Sequence, residues 1–73
     1  MKAQINLFLK EDNSFRGIYD GTPIEMASML HKMATDSDEF KSALLLAAAA
    51  VFKDHQREDL ADASKRIVIL INS

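Results

Sequence analysis

The chain contains no cysteine, and that absence removes disulfides, iron–sulfur clusters and thiolate zinc sites together. Two histidines, His31 and His55, are too few for a zinc site without carboxylate help. Gly17 and Gly21 are the only glycines, and neither lies in a phosphate-binding or dinucleotide-binding pattern. No serine has the strand-to-helix glycine context of a nucleophile elbow. No grouping of nucleophile, base and stabiliser emerges, so the chain is expected to be no enzyme and to hold no cofactor. Long hydrophobic runs are missing as well. The longest, Ala43 to Phe52, is ten residues, about half of what spans a bilayer. Met1-Lys2-Ala3-Gln4-Ile5-Asn6 interrupts any apolar stretch with polar residues, unlike a signal peptide. A cytoplasmic protein without membrane association is expected, and a chain lacking cysteine suits a reducing compartment.

A basic excess is also missing. Eleven acidic and nine basic residues leave a formal charge of −2, with lysine and arginine scattered. Proteins that hold nucleic acid through its phosphates carry a basic surplus or a basic face, so nucleic acid is disfavoured as a partner. Length adds a second constraint. Seventy-three residues make a single domain, 1–73. A chain this short buries only about 60% of the surface its unfolded form exposes. Small folds compensate with disulfides, a metal or oligomerisation. Composition leaves oligomerisation, and a homodimer or higher homo-oligomer is expected.

Residues Lys2 to Lys10 alternate. Ala3, Ile5, Leu7 and Leu9 share one face, and Gln4, Asn6, Phe8 and Lys10 the other. Period-two patterning predicts a half-buried strand with the aliphatic face inward. Glu11-Asp12-Asn13-Ser14 are all turn formers, and Phe15 to Tyr19 forms a shorter extended segment before Asp20-Gly21. A β-hairpin over about 2–20 follows. Such a hairpin is barely stable unless something covers one face, so the helices are expected to do so.

Thr22-Pro23-Ile24-Glu25 combines an N-cap threonine, a first-position proline and a glutamate that completes a capping box. Met26, Met29, Leu30 and Met33 then recur at helical spacing, predicting a helix over 23–35. A second helix over 37–55 is expected, with Asp36 as its cap and Glu39 completing another capping box. On that helix Phe40, Leu44, Ala47 and Val51 fall in one stripe, flanked by Leu45 and Phe52 on one side and Ala43 and Ala50 on the other. The apolar arc spans roughly 220°, against ~100° for an ordinary surface helix. Only a strip through Ser42, Lys53 and Gln56 reads as polar and solvent-facing. A third segment, 58–71, carries Leu60, Ala63, Ile67 and Ile71 on one helical face, with Asp62 and Arg66 as an i,i+4 pair. Its end, Ile67-Val68-Ile69-Leu70-Ile71, is β-branched enough to suit a strand, but no glycine, proline or asparagine separates it from Leu60 to Lys65, so a helix is favoured for residues 66–71 with a strand as the alternative.

Few residues invite a chemical role. Asp12, Ser14, Arg16 and Gly17 carry the rhythm of a calcium loop, but arginine stands at a ligand position and Pro23 where the closing glutamate belongs. Asp36, Asp38 and Glu39 are explained as acids at a helix N-terminus. No metal site is expected. The methionines read as packing against the hairpin. Phe8 is different, because it stands on the polar face of its strand between Asn6 and Lys10. The candidate interface is therefore Phe8, Phe40, Leu44, Leu45, Ala47, Ala48, Val51 and Phe52.

The hairpin Met1 to Tyr19, the capped start Thr22-Pro23-Ile24-Glu25 and the Ala/Leu-rich run Ala43 to Phe52 loosely resemble short proteins of bacteriophages and prophages. The resemblance implies a small accessory protein that acts by binding, including binding to a host protein. It carries no site residues. The expectation is an α+β domain, an N-terminal β-hairpin packed on two or three α-helices, serving as a non-enzymatic protein-interaction or oligomerisation module. The alternative is a dimeric ribbon–helix–helix-like DNA-binding regulator, with Gln4, Asn6 and Lys10 as readers on alternating strand positions.

Overall fold

The computed structural model describes residues 3–73. It is α+β in the order expected: strands β1 (Gln4–Leu9) and β2 (Phe15–Asp20) precede helices α1 (Pro23–Asp36), α2 (Asp38–Asp54) and α3 (Glu58–Ile71). The expected strand start at Lys2 lies outside the described residues. The chain divides into two compact units, one ending at His31 and the other comprising Lys32–Ser73.

In the first unit β1 pairs antiparallel with β2, with Leu7 opposite Gly17 and Phe8 opposite Arg16. The turn between them has a definite construction. The Asn13 N–H donates to the Lys10 carbonyl at 3.0 Å, and the Lys10 N–H donates to the Ser14 carbonyl at 2.8 Å. Asn13 takes φ 67°. This is a three-residue loop, a type I turn closed by a left-handed residue, and asparagine is among the few non-glycine residues that tolerate that region. Asp12 Oδ1 accepts from both the Ser14 N–H at 3.0 Å and the Ser14 hydroxyl at 2.6 Å. These two bonds hold the Asp12 carboxyl below the ordinary aspartate range.

Gly21, at φ 129°, turns the chain into α1 where a side chain would be strained. The capping box then forms as the residue types predict. The Glu25 N–H donates to Thr22 Oγ1 at 3.1 Å, and Glu25 Oε1 accepts from the Thr22 N–H at 2.9 Å.

At the start of α2 the cap differs from expectation. α1 continues through Asp36, so that residue stays helical and the capping role passes to Ser37. Ser37, extended at φ −144°, accepts the Phe40 N–H on its hydroxyl at 3.1 Å. Glu39 thereby falls one position early for a capping box. α2 ends in a Schellman motif. Arg57 N–H donates to the Phe52 carbonyl at 2.8 Å, Gln56 N–H to the Lys53 carbonyl at 2.9 Å, and Gln56 holds φ 60°. Glycine normally occupies that left-handed position.

α3 is helical throughout, which settles residues 66–71 as helix. It returns antiparallel to α2. Asn72 Nδ2, just beyond its end, donates to Ser42 Oγ near the start of α2 at 3.0 Å. That bond corrects the expected solvent strip, since Ser42 turns toward α3 rather than water. Leu45, Ala49 and Phe52 follow Ser42 at helical spacing and share its face. On α3 the corresponding line is Ala61, Ser64, Val68 and Ile71, with Ala61 1% and Ser64 8% exposed. The closest parts of the seam are thus alanine and serine, and small residues let two helix backbones approach. The i,i+4 pair expected of Asp62 and Arg66 does not close. Among the described residues the ion pairs are Lys41–Asp38 and Arg57–Asp59. Long charged side chains in water gain little from meeting.

Candidate interaction surfaces

Among the described residues only Ala34, Ala49, Ala61 and Ser64 are buried, while fourteen large hydrophobic residues are at least a third exposed. A chain whose buried residues are no larger than alanine and serine has most of its apolar side chains available to something else. Their distribution is ordered. Three surfaces stand out, two on the hairpin and one on the helical pair.

The first hairpin face joins Ile5, Leu7 and Leu9 to their partners Tyr19, Gly17 and Phe15. It was expected to be the covered face, with Phe8 as the exposed exception. Instead Leu7 and Leu9 are 60% and 74% exposed, against 66% for Phe8. Only Ile5 is half-buried. Alternation shows which residues share a face, but not whether anything covers it. Leu7 lies over Gly17, where a Cβ would sit 2.6 Å from Leu7 Cδ2. The missing side chain on β2 is therefore filled from β1.

The opposite hairpin face holds an open groove of about 440 Å³ lined by Asn6, Phe8, Lys10, Arg16, Gly17 and Ile18. Phe8 and Ile18 supply its apolar part, and Lys10 and Arg16 its charge. Arg16 stands directly across from Phe8. This cation was absent from the candidate residues, because its face depends on strand register, which the loop sets.

The third surface lies on α2 and α3. The candidates on α2 divide in two. Leu45, Ala48 and Phe52 are half-buried on the side turned toward α3. Phe40, Leu44, Ala47 and Val51 run along a different line, with Ala47 exposed, Val51 53% exposed, and Phe40 and Leu44 half-buried. Their spacing of four, three and four residues is that of a heptad seam. α3 carries a matching strip that the candidate set missed: Leu60, Ala63, Ile67 and Leu70, spaced three, four and three. Ile67 is 46% and Leu70 72% exposed. Both strips are displaced in the same rotational sense from the α2–α3 line. In antiparallel helices displacement in the same sense turns both toward one side of the pair, though unequally: the α2 strip lies about 150° around its helix from the α3-facing line and the α3 strip about 100° around its own. The signal was present in the sequence, where Leu60, Ala63 and Ile67 were grouped with Ile71, but Ile71 belongs to the covered line and Leu70 to the open one.

Among the described residues no cluster of three histidine, cysteine or acidic side chains could hold a metal ion. A bidentate ion pair, Arg57 Nε and Nη2 on Asp59 at 3.1 and 3.0 Å, lies on the surface at the start of α3. Arg57 holds the Asp59 carboxyl below the ordinary aspartate range. Among the described residues no helix is long and apolar enough to cross a membrane. No family model matches the chain, and no curated protein or solved structure matches it either.

Proposed function

We propose that this protein is a non-enzymatic interaction module that self-associates through the open face of α2 and α3. The observation that carries the reading is the pair of partly exposed heptad strips, Phe40-Leu44-Ala47-Val51 and Leu60-Ala63-Ile67-Leu70, turned toward the same side of the helical pair. Monomeric soluble proteins seldom leave an apolar patch of more than a few hundred Å² open. Two such faces meeting would form a four-helix arrangement of ordinary coiled-coil type. Leu70→Glu tests it, because that side chain is mostly exposed in the single chain and its replacement spares the α2–α3 seam. The variant is expected to keep its helical circular dichroism and to shift toward monomer in light scattering. A variant that keeps the wild-type mass would remove this face from the interface.

The ribbon–helix–helix alternative rests on the second hairpin face, where Lys10 and Arg16 flank Phe8 and Asn6 stands nearby. It predicts salt-sensitive retention on a DNA duplex that Lys10→Ala weakens. No retention at low salt would dismiss it. For the biological setting the proposal is a cytoplasmic accessory protein of a phage or prophage, with a host protein as a further partner. Its support is the loose sequence resemblance and the cysteine-free composition. Flanking genes of phage type would agree with that setting, and flanking housekeeping genes would oppose it.

A further inference from the structure

We propose that the free edge of β1 pairs with β1 of a second copy, joining two hairpins into one four-stranded antiparallel sheet. The inference rests on the self-association reading and names a second contact within it.

The hydrogen bond from the Lys10 N–H to the Ser14 carbonyl fixes the parity of the ladder. In an antiparallel pair, hydrogen-bonded and non-bonded positions alternate. Phe8, Asn6 and Gln4 therefore bond across to β2, and Ile5, Leu7 and Leu9 aim their N–H and C=O groups away from it. This outward edge carries none of the residue types that usually guard an edge strand. β1 reads Gln-Ile-Asn-Leu-Phe-Leu, with no charge, no proline and no bulge. β2 is guarded by Arg16 and Asp20 and weakened by Gly17 at its middle. An unguarded six-residue edge is a template for another strand, and a hairpin alone is marginal until more strands are added.

The occupant is indicated by the edge's fit to itself. In a two-fold pairing centred on Leu7, Leu7 meets Leu7 of the second copy and Ile5 meets Leu9. All three outward residues then bond only to one another. On the other face Phe8 comes beside Asn6, and Lys10 beside Gln4, so no like charges meet. A pairing centred on Asn6 would instead leave Leu9 facing Ala3. The Leu7 register also makes the aliphatic faces of both hairpins continuous, uniting Ile5, Leu7, Leu9, Phe15 and Tyr19 of each.

Because the chain has no cysteine, a single introduced thiol carries a spin label at one known position. Leu7→Cys is expected to show strong label–label broadening, since the two Cα atoms lie about 5.5 Å apart across a bonded antiparallel pair. Phe15→Cys is the control, because the same sheet separates its two copies by about 20 Å. Should the label at position 7 itself disturb pairing, a mixture of Ile5→Cys and Leu9→Cys chains is expected to broaden more than either alone. A dimer by sedimentation with no such broadening in either experiment overturns edge pairing and leaves self-association through α2 and α3 standing. Monomers in every variant and in the unlabelled protein would overturn both.

Discussion

Ala49 and Ala47 are two residues apart on one helix, yet the structure predicts opposite consequences for the same substitution. Ala49 is 2% exposed on the α3 side of α2, in line with Ser42, whose hydroxyl meets Asn72. Ala47 is exposed on the open face. Ala49→Leu adds a branched side chain where the facing line offers Ala61 and Ser64, both buried. Overpacking of this kind costs about 1–3 kcal/mol. A domain of this length has a total stability of roughly 4–11 kcal/mol. Each kcal/mol shifts the midpoint of a 60–100-residue domain by about 4–8 °C. Thermal unfolding followed by far-ultraviolet circular dichroism should therefore show a drop of at least about 4 °C for Ala49→Leu at every protein concentration. Ala47→Leu should leave the helix pair intact, and any change in its midpoint should depend on concentration. An Ala49→Leu protein as stable as wild type would refute close approach of α2 and α3. Equal, concentration-independent losses at both positions would refute the division of α2 into a covered and an open face.

Other consequences are smaller and local. Thr22→Ala removes the oxygen that accepts the Glu25 N–H and should cost about 1 kcal/mol, read from chemical denaturation. Gln56→Gly relieves the left-handed residue of the Schellman motif. It should stabilise by up to about 1 kcal/mol, after the extra freedom of glycine in the unfolded chain is subtracted. A loss of stability there would contradict the motif. Asp12 has a folded-state pKa below its ordinary value because the Ser14 hydroxyl and N–H bind its carboxylate. Its contribution is therefore present above the ordinary aspartate value and is lost as pH falls through the lowered one. In Ser14→Ala the Asp12 titration, followed by nuclear magnetic resonance, should move back up; an unmoved curve would remove the hydroxyl as the cause.

Elements that announce themselves through local chemistry were legible in the sequence. Thr22, Pro23 and Glu25 specify the start of α1 within one turn of chain, and the capping box forms from those groups alone. Alternation in residues 4–9 likewise identified β1, because strand geometry has a period of two. What depended on a second element was less legible. Ser42 reads as a solvent-facing residue on a helical wheel until Asn72 arrives beside it. Ile67 to Ile71 suits a strand by composition, the lack of a breaker after Leu60 favours a helix, and α3 forms as that helix with Ala61 packed against α2. The candidate interface on α2 mixed two faces for the same reason. An apolar arc that wide contains both the side packed on α3 and the side left open, and only the packing partner tells them apart. Phe8 was singled out by its polar neighbours, while Leu7 and Leu9 turned out equally exposed.

The open face has a definite energetic scale. Val51, Leu60, Ile67 and Leu70 are each a third to three quarters exposed, so covering each should yield about 1 kcal/mol. Two copies together gain on the order of 8 kcal/mol, against an association cost of about 4–15 kcal/mol. The helical face alone therefore supports a weak dimer, and additional contact along β1 would strengthen it. Sedimentation equilibrium of the wild-type chain from low to high micromolar concentration reads self-association without any substitution. The mass is expected to rise with concentration to at least twice 8.2 kDa. A mass fixed at 8.2 kDa across that range would contradict self-association and leave the open faces to a different partner.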